Sequence, residues 1–262
     1  MNKKIFMIIL TCVTIACIII GAASHLRFAA RPSVGRTVSR AIKNGFKSVT
    51  SDEYDYDFDE DLDDDFDIEI EATSGKNAFT NELQAFDSVK IDAHVMGVSI
   101  ERGNRFEISG SYTKAGLKPG ITVSGGTLKI NQPDYKSKLV TNGNCKIVIT
   151  VPFGTQLEAI NLDIDVGAVE LSGIDVQNIN ANTDVGAIAI KNVEFHQLKA
   201  NSDVGAISVE LTQAINEYNI DARSDVGAIQ VNGANAKRRY SQQGNTSKTI
   251  KIKTDVGGIE IK

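Results

Sequence analysis

From about residue 84 onward, apolar residues alternate with polar ones at a period of two. Val89 and Ile91, Val98 and Ile100, Phe106 and Ile108, Ile121 and Val123, Leu128 and Ile130, and Ile147, Ile149 and Val151 all carry the pattern. Alternation of this kind puts one side of an extended segment in a core and the other in water, so each stretch is predicted to be a strand. Turn residues bound these strands at Gly103-Asn104, Gly125-Gly126 and Asn142-Gly143-Asn144. No long 3.6-residue pattern competes with them.

Within this region one phrase returns five times. It begins at Asp165, Asp184, Asp203, Asp225 and Asp255, and each time reads Asp-Val-Gly followed by Ala or Gly and a β-branched residue. The intervals are 19, 19, 22 and 30 residues. Repetition near 20 residues combined with strand alternation predicts stacked rungs. Superposing the repeats gives columns of like side chains. One holds Ile160, Ile179, Leu198, Ile220 and Ile250; beyond the turn, another holds Leu171, Ile190, Val209, Val231 and Ile261. A single rung cannot bury its apolar side, whereas a stack can.

The glycines Gly167, Gly186, Gly205, Gly227 and Gly257 are read as turn residues with positive φ, and each Asp as an acceptor for the backbone N–H two residues on. Gly126 joins this set through Ser124-Gly125-Gly126-Thr127, where Ser stands in place of Asp; Met96-Gly97-Val98 is a looser match. A calcium ladder on Asp165, Asp184, Asp203, Asp225 and Asp255 is the alternative role. One carboxylate per rung offers few oxygens for an ion that takes six to eight. The longest interval, Gly233 to Ser247, is expected to leave the stack as a loop. Its residues Lys237, Arg238, Arg239 and Tyr240 form a candidate recognition loop. Thr249 to Lys262 is expected to be the terminal rung, with Lys251, Lys253 and Lys262 discouraging further stacking.

Charge changes the picture only in front of the repeats. Residues 1–50 hold eight Lys or Arg and no acid, and Asp52 to Glu71 holds thirteen acids and no base. Removing these from the totals of 28 and 33 leaves 20 of each sign for residues 72–262, so the net charge of −5 belongs to the two leading segments. Nothing here has the basic footprint of a nucleic-acid binder. Residues 1–4 are expected inside the cell, with 5–23 as a membrane span about 28 Å long if helical. A signal peptide cleaved near Gly21-Ala22-Ala23-Ser24 is the alternative. Residues 24–48 form a basic juxtamembrane segment, in which Val34, Val38, Ile42 and Phe46 recur every four positions, a pattern suited to lying on anionic headgroups over 33–48. By the positive-inside rule, the same basic residues oppose an outside location for the body of the chain. Residues 49–83 are expected to be an acidic disordered linker and 84–262 the repeat domain.

Candidate chemistry is sparse. Cys145 is read as a buried hydrophobe, Cys12 and Cys17 fall in the span, and no disulfide framework is present. His25, His94 and His196 are scattered, and no nucleophile motif, phosphate loop or zinc spacing occurs. A polysaccharide-cleaving enzyme would need singular paired acids in a cleft, whereas these acids belong to a repeat. No catalytic or cofactor-binding residue is therefore assigned.

The five Asp-Val-Gly turns, with Gly125-Gly126 and Lys146-Ile147-Val148-Ile149-Thr150-Val151-Pro152, resemble the bacterial "putative adhesin" family, a domain of unknown function. The resemblance covers about residues 84–262 and implies an all-β, right-handed parallel β-solenoid on a single-pass protein of the bacterial cell membrane, with the solenoid outside the cytoplasm. The expected role is non-catalytic: binding or adhesion toward an envelope protein or cell-wall polymer, or an accessory part in envelope stress. A calcium-stabilised spacer is the second expectation.

Overall fold

The computed structural model describes residues 77–132 and 143–262. The expected span at 5–23, the basic segment at 24–48 and residues 49–76 of the acidic linker lie outside the described residues. Among the described residues the structure is all β, apart from two short 3-10 turns at Ala115–Leu117 and Ile215–Glu217. No helix among them is long and apolar enough to cross a membrane.

In chain order the first strands are β1 (Phe79–Glu82), β2 (Ser88–Val95), β3 (Gly97–Gly103), β4 (Glu107–Tyr112), β5 (Gly120–Ser124) and β6 (Thr127–Asn131). Then come β7 (Cys145–Pro152), β8 (Gln156–Val166), β9 (Val169–Ser172), β10 (Asp175–Val185), β11 (Ile188–Val204) and β12 (Ile207–Leu211). The last are β13 (Tyr218–Val226), β14 (Ile229–Val231), β15 (Ala234–Ala236), β16 (Arg239–Gln242), β17 (Lys248–Val256) and β18 (Ile259–Ile261).

Six times the chain runs along a front sheet, turns a corner at the repeated phrase or its equivalent, and continues in a back sheet. These rungs are β2–β3, β8–β9, β10 with the start of β11, the rest of β11 with β12, β13–β14 and β17–β18. Neighbouring rungs pair in parallel in both sheets. Return to the front sheet is made at a second corner, where Gly173 (φ 63°) and Asn192 (φ 52°) adopt the left-handed conformation; Asn232 (φ 47°) and Gly233 (φ 75°) adopt it in the turn of the β14–β15 hairpin. Glycine and asparagine tolerate that region best.

Register reproduces the sequence columns. Ile160 pairs with Ile179, Ile179 with Leu198, and Leu198 with Ile250. In the back sheet Leu171 pairs with Ile190, Ile190 with Val209, and Val209 with Ile261. All of these side chains are buried in one continuous core. Each contributes about 1.5–3 kcal/mol by leaving water, and that burial sets which side of every strand faces inward.

The stacking order departs from chain order at both ends. The last rung, β17–β18, is internal: β17 pairs with β11 on one side and β13 on the other, and β18 lies between β12 and β14. The expectation that Thr249–Lys262 closes the stack is therefore corrected. The end of the stack is β13–β14, and the segment expected to leave as a loop covers it. Antiparallel β16 pairs with β13, and β15 with β14. At the other end β2 lies between β6 and β8. There β4 pairs antiparallel with β7, and β1 with β4. β1 extends the domain into the stretch 49–83 assigned to linker. Antiparallel pairing at both ends gives the outermost parallel strands partners, so the open edges that invite further stacking are covered.

Gly126 also departs from its assigned place. Gly125 (φ 58°) and Gly126 (φ 73°) form the two-residue turn of the β5–β6 hairpin, the left-handed pair that a type I′ turn requires. The rung corner at this end is instead His94-Val95-Met96-Gly97-Val98, because Val95 pairs with Val166 and Val98 with Val169.

Candidate functional site

The repeated phrase sits at the corner between the sheets, and the structure shows why it needs glycine. φ is 155–159° at Gly167, Gly227 and Gly257, beside the extended region and far from the roughly +80° of a type II turn. The requirement is close approach. A Cβ added at Gly186 would fall 1.6 Å from the Gly167 carbonyl oxygen; at Gly205, 1.7 Å from that of Gly186; at Gly257, 1.7 Å from that of Gly205. Successive rungs touch backbone to backbone here. At the end of the column the Met96 carbonyl oxygen takes the same place, 1.9 Å from a Cβ added at Gly167.

The corner amides are not capped by Asp. Gly167 N–H donates to Val185 O, Gly186 N–H to Val204 O, and Gly257 N–H to Val226 O, at 2.9–3.0 Å. The glycine carbonyls are served by a buried hydroxyl column. Ser202 Oγ donates to Gly186 O (3.0 Å), Thr254 Oγ1 to Gly205 O (3.0 Å) and Ser224 Oγ to Gly257 O (2.8 Å). Thr183 stands in the same column, but its buried Oγ1 has no partner.

Freed from capping, the aspartates line one edge of the front sheet in the spatial order Asp165, Asp184, Asp203, Asp255, Asp225. His94 extends the row: its Nδ1 lies 2.7 Å from Asp165 Oδ2. Next to the other end, Lys253 Nζ lies 2.8 Å from Asp255 Oδ1. Carboxylates one strand apart, about 4.8 Å, repel by about 0.9 kcal/mol in water. Partial desolvation, and then the charges of Asp165, Asp203 and Asp163, hold the Asp184 carboxyl above its usual value. No three His, Cys, Asp or Glu side chains among the described residues are arranged to hold a metal ion.

Gln132 ends the corner column on the β6 side. Its Oε1 accepts from the N–H groups of His94 (3.0 Å) and Val95 (2.9 Å), and its Nε2 donates to Val95 O and Leu117 O. One side-chain amide thus takes the hydrogen bonds that a further rung would take. Nothing in the local sequence marks it, because the contact joins residues 37 and 38 apart.

The proposed recognition residues divide. Arg239 and Tyr240 belong to β16, with Arg239 Nε 3.8 Å from Asp221 and Tyr240 donating to Gln242 Oε1 at 2.7 Å. Lys237 and Arg238 remain exposed between β15 and β16. Of the histidines, His94 is in the row, His196 is half-buried on β11, and His25 lies outside the described residues. Cys145 is buried and unbridged, and burial pushes its thiol up to about 12.

Outward from the core, the front sheet presents a broad polar side. Asn161, Asn178, Asn180, Gln197, Lys199, Thr249 and Lys251 line a shallow trough there, over buried Ile179 and Leu198. Asn201 Nδ2 donates to Asn182 Oδ1 across neighbouring rungs at 2.8 Å. The polar positions before the five Asp read Asn-x-Asp-x-Asp, Asn-x-Asn-x-Asp, Lys-x-Asn-x-Asp, Asp-x-Arg-x-Asp and Lys-x-Lys-x-Asp in the sequence. Their convergence into one surface follows from the register.

These features define an all-β domain of parallel rungs folded between two sheets, with a polar outer side in place of a deep cleft. The family described as Toastrack DUF4097 matches residues 86–227 and 154–262, and the chain belongs to it. No curated protein matches in sequence. Among solved structures, a putative cell adhesion protein from Clostridium sporogenes is 22% identical with a TM-score of 0.58, covering 70% of this chain and 97% of that one. A putative adhesin from Bacteroides fragilis is 18% identical with a TM-score of 0.35, covering 72% and 98%. The Clostridium protein supports the fold.

Proposed function

We propose that this chain is a non-catalytic binding module of the bacterial envelope. Residues 5–23 hold it in the membrane, 33–48 rest on headgroups, and the repeat domain, a right-handed solenoid, faces outward. The observation that carries the reading is the polar outer side of the front sheet, held rigid by rungs paired on both sides. Such a side suits lateral binding of an envelope protein or cell-wall polymer. The name given to the Clostridium protein points the same way.

Two measurements test it. Intact cells carrying a tag after Lys262 are treated with protease beside a lysed control; loss of the tag in intact cells supports an outward domain, and protection until lysis overturns it. Purified full-length chain in detergent is then incubated with isolated cell walls and with envelope membranes. Saturable retention without release of fragments supports a binding module, and absence of retention on both rejects it.

The aspartate row favours a second reading, a calcium-stabilised spacer, because Asp184 is held among like charges. Calcium would then raise the melting temperature of the wild type, and less so after Asp184→Asn with Asp203→Asn. Equal response in both proteins removes this reading.

A further inference from the structure

The trough on the front sheet is shallow and open, with a volume of about 440 Å³. Two features of it point to an occupant, a facing pair of lysines and a repeating row of side-chain amides.

Lys199 and Lys251 sit directly opposite one another on adjacent strands. Like charges so placed repel, and neither lysine forms a salt bridge among the described residues. Asp221 lies opposite Lys251 on its other side, but its oxygens are engaged by Arg223, at 2.8 and 3.2 Å, and approached by Arg239. Neither lysine therefore has a carboxylate at contact distance, although Asp221 acts on Lys251 through its charge.

The remaining polar groups repeat with the rungs. Asn161 stands opposite Asn180, Asn180 opposite Lys199, and Asn178 opposite Gln197. Donors and acceptors therefore recur every ~4.8 Å along the stack. A ligand that repeats along its own length is the natural match.

We propose that this trough binds an anionic glycan laid across the strands. Side-chain amides both donate and accept, as sugar hydroxyls do, so Asn161, Asn178, Asn180 and Gln197 exchange hydrogen bonds with the sugar. A carboxylate or phosphate on the glycan sits between Lys199 and Lys251. No aromatic side chain lines the trough, so charge and hydrogen bonds hold the ligand rather than stacking. The inference rests on the binding-module reading and names its site and ligand class.

The test titrates purified full-length protein in detergent with polygalacturonate, phosphorylated dextran, plain dextran and polyacrylate. At least one of the two charged glycans is expected to bind tenfold or more tighter than plain dextran, and the tighter of them identifies carboxylate or phosphate as the anion. Polyacrylate, which has charge without hydroxyls, is expected to bind at least tenfold more weakly than that glycan. Lys199→Gln with Lys251→Gln, and separately Asn178→Ala with Asn180→Ala, are each expected to weaken the charged glycan tenfold or more, with melting curves confirming folded protein. Polyacrylate binding as tightly as the glycans, unchanged binding by folded variants, or no binding to either charged glycan overturns the proposal. Variants that lose nothing on isolated cell walls reject the trough and leave the module reading intact. Wild type that binds no envelope material rejects both.

Discussion

Gly186→Ala isolates the contact that defines this fold. Gly186 does not require a left-handed backbone, so alanine carries no intrinsic conformational penalty there. The obstacle is the neighbouring rung: the new Cβ would stand 1.6 Å from the Gly167 carbonyl oxygen. To reach 3.0 Å, the closest approach that real Cβ atoms show, the two corners must separate by about 1.4 Å. Three hydrogen bonds of 3.0 Å span that gap or hang on it: Gly167 N–H to Val185 O, Gly186 N–H to Val204 O, and Ser202 Oγ to Gly186 O. At about 1 kcal/mol each their loss amounts to about 3 kcal/mol. For a domain of this size that corresponds to a fall in melting temperature of roughly 6–12 °C. The comparison is Gly154→Ala, where φ is +80° but nothing lies within 4 Å of the added carbon. There the penalty is conformational only, about 1–2 kcal/mol. Thermal unfolding of both variants, followed by circular dichroism, checks the order. A melting temperature for Gly186→Ala at or above that of Gly154→Ala would refute close approach as the reason for the glycine.

The same geometry sets further expectations. Thr254→Val removes the donor to the Gly205 carbonyl and is expected to cost about 1–3 kcal/mol, whereas Thr183→Val removes a buried hydroxyl without a partner and is expected to be neutral or stabilising; urea midpoints of the two variants compare them directly. Truncation after Ser247 deletes an internal rung and not an end, so it is expected to abolish cooperative unfolding and expose the rest to limited proteolysis; a sharp melt in the truncated protein would contradict the stacking order. Asp184 has a folded-state pKa raised above its unfolded one, so its relative stability is greatest below about pH 3.8 and is lost as pH rises through the folded value. Asp184→Asn is therefore expected to melt higher than wild type at pH 7, with the difference shrinking toward acid; a constant difference across that range argues against like-charge repulsion.

Much of the architecture is determined locally. Alternation at period two, the five Asp-Val-Gly corners and their like-residue columns come from short-range rules, because a strand's side chains alternate whatever its neighbour. Ile160, Ile179, Leu198 and Ile250 consequently stack as the repeats align them. The roles of the polar residues were harder to read. Asp in the phrase suggested capping, yet the N–H two residues on is committed to the next rung, so Ser202, Ser224 and Thr254 satisfy the corner and the aspartates face water. Gly126 matched the repeat frame, but with a second left-handed glycine beside it the chain forms a hairpin.

The order of the rungs was decided only in three dimensions. Every rung offers its neighbours the same backbone edges and the same apolar columns, so local pattern does not say which stacks on which. Intervals of 19 residues carry the chain to the adjacent level, as from Asp165 to Asp184 to Asp203. The 22-residue interval carries it one level further, leaving a slot that the last rung fills between β11 and β13. Long-range partners settle the ends: Gln132 on the His94 corner, and β15 and β16 over β13 and β14. The trough has the same origin, since Lys199 and Lys251 lie 52 positions apart in sequence and become neighbours only because β17 occupies that slot.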